Sequence, residues 1–237
     1  MDHSWIMMLV LGMGGFVSII TTTRLSIRSF LADRRQRHRE PDRASALRTR
    51  GAIIRWPRLY TLILRFAFRG KEPKLWQMIA DLAQLRPGET VLDVGCGTGT
   101  LALVAKERVG ITGRVYGLDP SRQMIAYARR KAAGRSLSVD FQLGVVEHLA
   151  FPDRSFDVVL CTWMIHHLPT DDKRQGLAEM ARVLKPGGRL LLVDSHLDDL
   201  PLPKEEFSRM QTGDIPFGKG FSFALEQKNL ARVAAKE

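Results

Sequence analysis

Apolar positions change their period several times along the chain, and each change marks an element. Residues 4–23, SWIMMLVLGMGGFVSIITTT, carry no charged side chain. Twenty such residues wound as a helix reach about 30 Å, the thickness of a bilayer core, so the pattern predicts a transmembrane helix. Residues 52–69 are also apolar, but arginines punctuate them at 55, 58, 65 and 69, and Pro57 is placed to open a helix. That composition suits a helix lying in a membrane interface, a lid over the domain behind it, or plain core packing. From Pro73 the spacing becomes regularly helical through Leu75, Met78, Ile79 and Leu82, and the run stops at Pro87-Gly88.

Beyond residue 88, short β-branched runs alternate with helical ones. Residues 90–110 read as a strand, a turn with Gly95, Gly97 and Gly99, and a helix with Leu101, Val104 and Ala105 on one face that stops at Gly110. Further strands are expected at 114–119, 138–144, 155–163 and 189–194. Between them, Ser121 is expected to cap a helix carrying Met124, Ile125 and Ala128, and Thr170 to cap one carrying Leu177, Met180, Ala181 and Leu184. The 155–163 run is continuously apolar, as in a parallel sheet covered on both faces. Strands alternating with helices imply right-handed crossovers and a doubly wound α/β sheet, with its ligand at the carboxyl ends of the strands.

Charge divides the chain. Residues 24–69 hold thirteen arginines, no lysine and three acids (Asp33, Glu40 and Asp42), a net of +10 out of +11 for all 237 residues. The start lacks the basic head and the small-residue cleavage site of a secretory signal, and the first arginine is Arg24. A retained single-pass anchor is therefore expected, with the arginines and the domain that follows them on the cytoplasmic side of the membrane. Each arginine near an anionic leaflet is worth about 1 kcal/mol, so the linker itself would hold to that surface. A nucleic-acid partner is disfavoured, because the aromatic interleaving of RNA-binding modules is missing. Two cysteines, Cys96 and Cys161, make no disulfide framework, and no Cys/His cluster stands at zinc spacing, so no metal is expected. The expected organisation is an anchor at 4–23, an arginine-rich linker at 24–51, a lid or interfacial helix at 52–72 and one α/β domain at 73–237.

The candidate chemistry lies in the first βα unit. A glycine turn lets a ligand approach the backbone, and the helix behind it offers unpaired N–H groups. Asp119, at the end of the second strand, is placed to accept hydrogen bonds from two ribose hydroxyls. A nicotinamide dinucleotide uses a similar unit, but its third glycine, counted from Gly95 and Gly97, falls on Thr100.

From about residue 73 to 226 the chain resembles the class I S-adenosylmethionine-dependent methyltransferases of the small-molecule type. The resemblance is carried in order by VLDVGCGTG at 91–99, GLDPSRQMI at 117–125, LAFPDRSFDVV at 149–159 with HHLP at 166–169, and RVLKPGGRLLLVD at 182–194. It implies a Rossmann-like, mostly parallel methyltransferase sheet; TGDIPFGKGFSFALEQK, 212–228, resembles its closing antiparallel hairpin, while 196–211 looks shortened where the family carries a helix. The family's acid before the turn is met by Asp93, and its glycine by Gly99.

By that resemblance S-adenosyl-L-methionine is the cofactor. Asp93 would orient the donor's amino group, while Gly95, Cys96, Gly97 and Gly99 would line its methionine part. Asp119 and Pro120 would hold the ribose, and Met124 would lie against the adenine. Cys161 and Thr162 would contact the methionine end. Many members carry an acid where this chain has Val145, so the adenine amine is left to the backbone of Val145 and Val146 or to Glu147. His166 and His167 are the candidate bases for an acceptor that must lose a proton. The acceptor pocket would draw on residues 52–80 and Trp163, which points to a small hydrophobic or membrane-resident acceptor, a lipid or quinone-like compound. The resemblance to quinone-ring C-methyltransferases in particular is distant, because TWMIHHL replaces their arginine-asparagine segment after strand four. The alternative is a membrane-tethered protein that binds the donor without transferring methyl groups.

Overall fold

In the computed structural model the described residues are 49–195, 197, 200–202, 206–215 and 222–229, all within the unit Leu47–Glu237. The expected anchor at 4–23 and most of the expected linker lie outside them; among the described residues no helix is long and apolar enough to cross a membrane.

Pro57 opens helix α1, Pro57–Ala67, its missing N–H costing nothing in a first turn. Helix α2, Glu72–Leu82, follows and buries Leu75, Trp76, Ile79 and Ala80. The α/β part then runs β1 (Thr90–Val94), α3 (Thr100–Val109), β2 (Arg114–Asp119), α4 (Arg122–Ala133), β3 (Asp140–Leu143), β4 (Phe156–Thr162), α5 (Thr170–Val183) and β5 (Leu184–Asp194). A hairpin of β6 (Phe207–Asp214) and β7 (Ser222–Lys228) follows. The sheet order is β3-β2-β1-β4-β5-β7-β6, parallel except where β7 pairs antiparallel with β5 and β6.

Alternation along the central strands builds two cores. Val91, Val158, Leu160, Leu191 and Val193 face one cluster with α1 to α4. Leu92, Val94, Val159, Cys161, Leu190 and Leu192 face the other, with α5. The crossovers leave β1 and β4 toward opposite faces, so a crevice opens between the carboxyl ends of those two neighbours, where open α/β sheets take their ligands.

Several boundaries differ from the sequence pattern. Thr170 does not cap α5: it is the first helical residue, Pro169 holds the cap position with no side-chain hydrogen bond, and Asp171 and Asp172 set negative charge on the first turn instead. The third strand starts at Asp140 rather than at 138, because β2 pairs with it only from Tyr116 onward. Strand β4 stops at Thr162 because Trp163 takes a left-handed backbone, φ 51°. β5 already pairs at Leu184, across an irregularity that takes up the Pro186-Gly187-Gly188 turn. The hairpin begins at Phe207, ahead of 212, since β7 extends to Lys228 and offers it a partner.

Candidate functional site

Residues from four strand ends and from the chain ahead of α1 meet in the crevice. Gly95 follows β1, Leu118 and Pro120 close β2, Gly144 to Glu147 follow β3, and Met164, His167 and Leu168 follow β4. Thr49, Gly51 and Ala52 lie across it, leaving a half-open space of about 40 Å³. Thr49 Oγ1 donates to Glu147 Oε1 at 2.5 Å, the Arg50 guanidinium pairs with Asp172, and the Ala52 amide donates to the His167 carbonyl at 3.4 Å.

The glycine turn is organised from β2. The amides of Gly95 and Cys96 both donate to the Leu118 carbonyl, at 2.8 and 2.9 Å. Asp119 spans the two loops: one oxygen accepts from the Gly97 amide at 3.0 Å, the other from the Ser121 amide at 2.8 Å. Ser121 caps α4 through the Met124 amide, as its position predicts. All three turn glycines have left-handed backbones, but they meet different surroundings. A Cβ on Gly95 would lie 2.4 Å from Met164 Cγ, and one on Gly99 would lie 2.6 Å from the Phe141 ring and 2.8 Å from Ala128. Only at Gly97, among the three, does a Cβ meet no atom within 4 Å. A side chain at Gly97 would therefore enter open space, whereas one at Gly95, which lines the crevice, would press on the Met164 side chain, and one at Gly99 on the packed Phe141 and Ala128.

Burial sets the electrostatics. Asp93, 1% exposed, has both carboxylate oxygens without a hydrogen-bond partner among the described residues. Burial pushes its carboxyl up to about 7 and the charge of Asp119 adds to the rise, which the Ala102 amide tempers without reaching hydrogen-bond geometry. Asp119 is pushed up to about 6 by burial, against the pull of the Ser121 and Gly97 amides. The Tyr60 phenol of α1 is likewise raised by burial and by these two carboxylates, which sets α1 beside the turn. Glu147 Oε2 is a further buried oxygen with no described partner. Asp93 is thus a buried acid with neither oxygen partnered among the described residues, and half-buried Glu147 keeps one oxygen unpartnered beside its bond from Thr49, so both have acceptor capacity to spare for a cationic or amine-bearing ligand.

Other predicted residues lie deeper. Met124 is 2% exposed at the start of α4, and Cys161 is 1% exposed in the core on the α5 side. Cys96 is buried with its thiol near Gly117, and Thr162 is buried at the end of β4. Val145 and Val146 are buried as well and line the crevice with Pro120. Burial lifts both thiols well above the usual range, so neither is a ready nucleophile.

At the ends of β4 and β5 the structure makes an association that the sequence did not suggest. His166 Nδ1 lies 2.7 Å from Asp194 Oδ1, and its backbone amide donates to Oδ2 at 3.3 Å. Asp194, 1% exposed, also accepts the Ser195 amide at 2.7 Å. A carboxylate only accepts, so Nδ1 carries the hydrogen, and in the neutral form of the ring Nε2 is the acceptor. The rings of His166 and His167 lie 3.9 Å apart. Burial, and then the neighbouring His166, lower His167 to about 4, so it is neutral at pH 7. Beside this pair, Trp163 stacks on Phe68 at 5.5 Å and meets the edge of Trp76 at 5.2 Å.

Titration of Asp93 has a measurable consequence. A carboxylate that must be ionised to take an ammonium group binds it better as pH rises through about 7. Donor affinity, followed by calorimetry, should fall by up to about tenfold per pH unit below that point. Asp93→Asn should flatten the profile; a native-like slope in that variant would remove Asp93 from the site.

Residues 91–188 match the family model described as a methyltransferase domain. The chain is similar to a demethylmenaquinone methyltransferase of Listeria monocytogenes serotype 4a, 35% identical over 158 residues that make up 66% of each chain. It is also similar to a ubiquinone/menaquinone biosynthesis C-methyltransferase of Hydrogenovibrio crunogenus, 36% identical over 124 residues, 51% of this chain and 48% of that one. Among solved structures, an S-adenosylmethionine-dependent methyltransferase from Aquifex aeolicus shares the fold at a TM-score of 0.55 and 24% identity, over 65% of this chain and 89% of that one.

Proposed function

Because the chain belongs to the class I S-adenosylmethionine-dependent methyltransferases, we propose that its acceptor is a small, flat, apolar molecule of the quinone-like class. The observation that carries this reading is Trp163, half-buried just past the end of β4 and backed by the buried rings of Phe68 and Trp76. Stacked and edge-on aromatic rings favour a planar apolar guest. The names of the quinone methyltransferases to which the chain is similar agree with that chemistry.

S-adenosylmethionine, when bound, supplies a methyl group already activated on a sulfonium. The protein's tasks are then to place the acceptor in line, to exclude water and to take up a proton. Asp93 would hold the donor's amino group, Asp119 its ribose and Glu147 its adenine amine, with Gly97 giving backbone access. His166, held by Asp194, would accept the proton of an acidic ring hydroxyl through Nε2 as the methyl reaches the ring. Residues 4–23 would keep the enzyme at the membrane, cytoplasmic side inward, where such acceptors dissolve.

Transfer of labelled methyl from S-adenosylmethionine in a membrane-containing lysate, partitioned between organic solvent and water, tests the reading. Label should appear in the organic phase and vanish with Gly95→Asp. Label confined to the aqueous phase would discard the quinone-like acceptor. Removing residues 1–46 should slow transfer to the membrane-resident acceptor; an unchanged rate would reject the anchor.

A further inference from the structure

Helix α1 is apolar on two faces. Leu64 is buried, Tyr60 and Ala67 pack against the core, and Phe68 just beyond the helix reaches Trp163. The other face is bare: Trp56 is 39% exposed, Leu59 50%, Leu62 48%, Ile63 38% and Phe66 74%. At 100° per residue these five form one stripe, and Arg58 and Arg65 follow its flank, with Arg55 and Arg69 at the two ends of the segment. All four arginines are exposed. No acidic residue occurs from Arg43 to Lys71.

From this we infer that α1 is an interfacial helix that seats the domain on an anionic lipid surface, its apolar stripe among the acyl chains and its arginines at the headgroups. A contiguous patch of large apolar side chains is costly to leave in water, and its rim states the partner's charge. A second copy of the chain fits poorly, because a two-fold contact would set this acid-free arginine flank against itself. Arginine stems lie along apolar surface while their heads reach phosphate, the geometry that a bilayer offers and a protein groove with its own basic rim does not. The inference rests on exposure and charge alone, independently of the proposed acceptor, and its test reads lipid contact rather than methyl transfer.

Both native cysteines are buried, so a thiol-reactive, environment-sensitive fluorophore can be directed to Phe66→Cys in the full chain. A second chain carries the label at Leu62→Cys, and a control carries it at Ile111→Cys, which is 96% exposed in the loop leading into β2, at the amino ends of the strands. Each is reconstituted with phosphatidylcholine vesicles, with or without phosphatidylglycerol, containing a nitroxide-labelled lipid. The expected result is blue-shifted, quenched emission at positions 66 and 62 but not at 111, stronger with phosphatidylglycerol. Charge reversal by Arg58→Glu together with Arg65→Glu should weaken the quenching about tenfold. Unquenched labels at 66 and 62, equal quenching at 111, or a blue shift at 66 that appears only with rising protein concentration and no lipid would each overturn the inference.

Discussion

Exchanging His166 for alanine should lower kcat by about a hundredfold or more while leaving the donor's dissociation constant within twofold of the native value. The argument rests on geometry. Asp194 grips His166 through the ring Nδ1 and the backbone amide, which fixes both the tautomer and the orientation of the imidazole. His167 cannot substitute, since a side chain lowered to about 4 by burial and by its neighbour is too weak a base near neutral pH. Asp194→Asn should give a smaller loss, about tenfold, because asparagine can also donate and so admits the opposite tautomer. Asp194 acts through His166, so the exchange should lower kcat with little effect on KM. Steady-state rates across pH, paired with donor titrations, decide the matter. A kcat within twofold of native in His166→Ala would remove the proton-transfer role from this pair.

Gly97 and Gly99 should fail in opposite ways. In Gly99→Ala the new methyl meets Phe141 at 2.6 Å and Ala128 at 2.8 Å on a backbone at φ 71°, so overpacking and left-handed strain combine to destabilise the fold by about 3 kcal/mol. In Gly97→Ala the methyl meets no atom of the protein, and only the left-handed backbone costs stability, about 1 kcal/mol. Its methyl projects into the space a ligand must approach, so donor binding should weaken at least tenfold, about 1.4 kcal/mol. Urea denaturation separates the first effect and donor titration the second. Equal stability of the two variants would refute the packing account, and native-like affinity in Gly97→Ala would refute the approach account.

Much of this was legible in the sequence because it is local. The alternation of strands and helices, Ser121 as a cap and Pro57 at a helix start are each written within a few consecutive residues, while the closing hairpin was expected from the family resemblance. Asp119 was legible for the same reason, since it closes a strand next to a glycine turn. The His166–Asp194 pair was not: 28 residues separate its members, and only the β4–β5 register, which sets Thr162 against Val193, brings them together. The contact of Thr49 with Glu147 spans 98 residues and carries no periodicity at all. Distinguishing the glycines also required the structure, because left-handed backbone is common to all three and the neighbours that separate them, Met164, Phe141 and Ala128, come from other elements.

Trp163 ends β4 on a left-handed backbone, a conformation that suits glycine or asparagine far better than a large aromatic residue. The ring is kept there by Phe68 and Trp76. During divergence this position is constrained from two sides. Glycine would relax the main chain but remove the stacking, and a bulky aliphatic side chain would keep the strain without it. Substitution within this cluster is therefore less strained at Phe68 and Trp76, whose backbones are ordinary, than at the tryptophan between them.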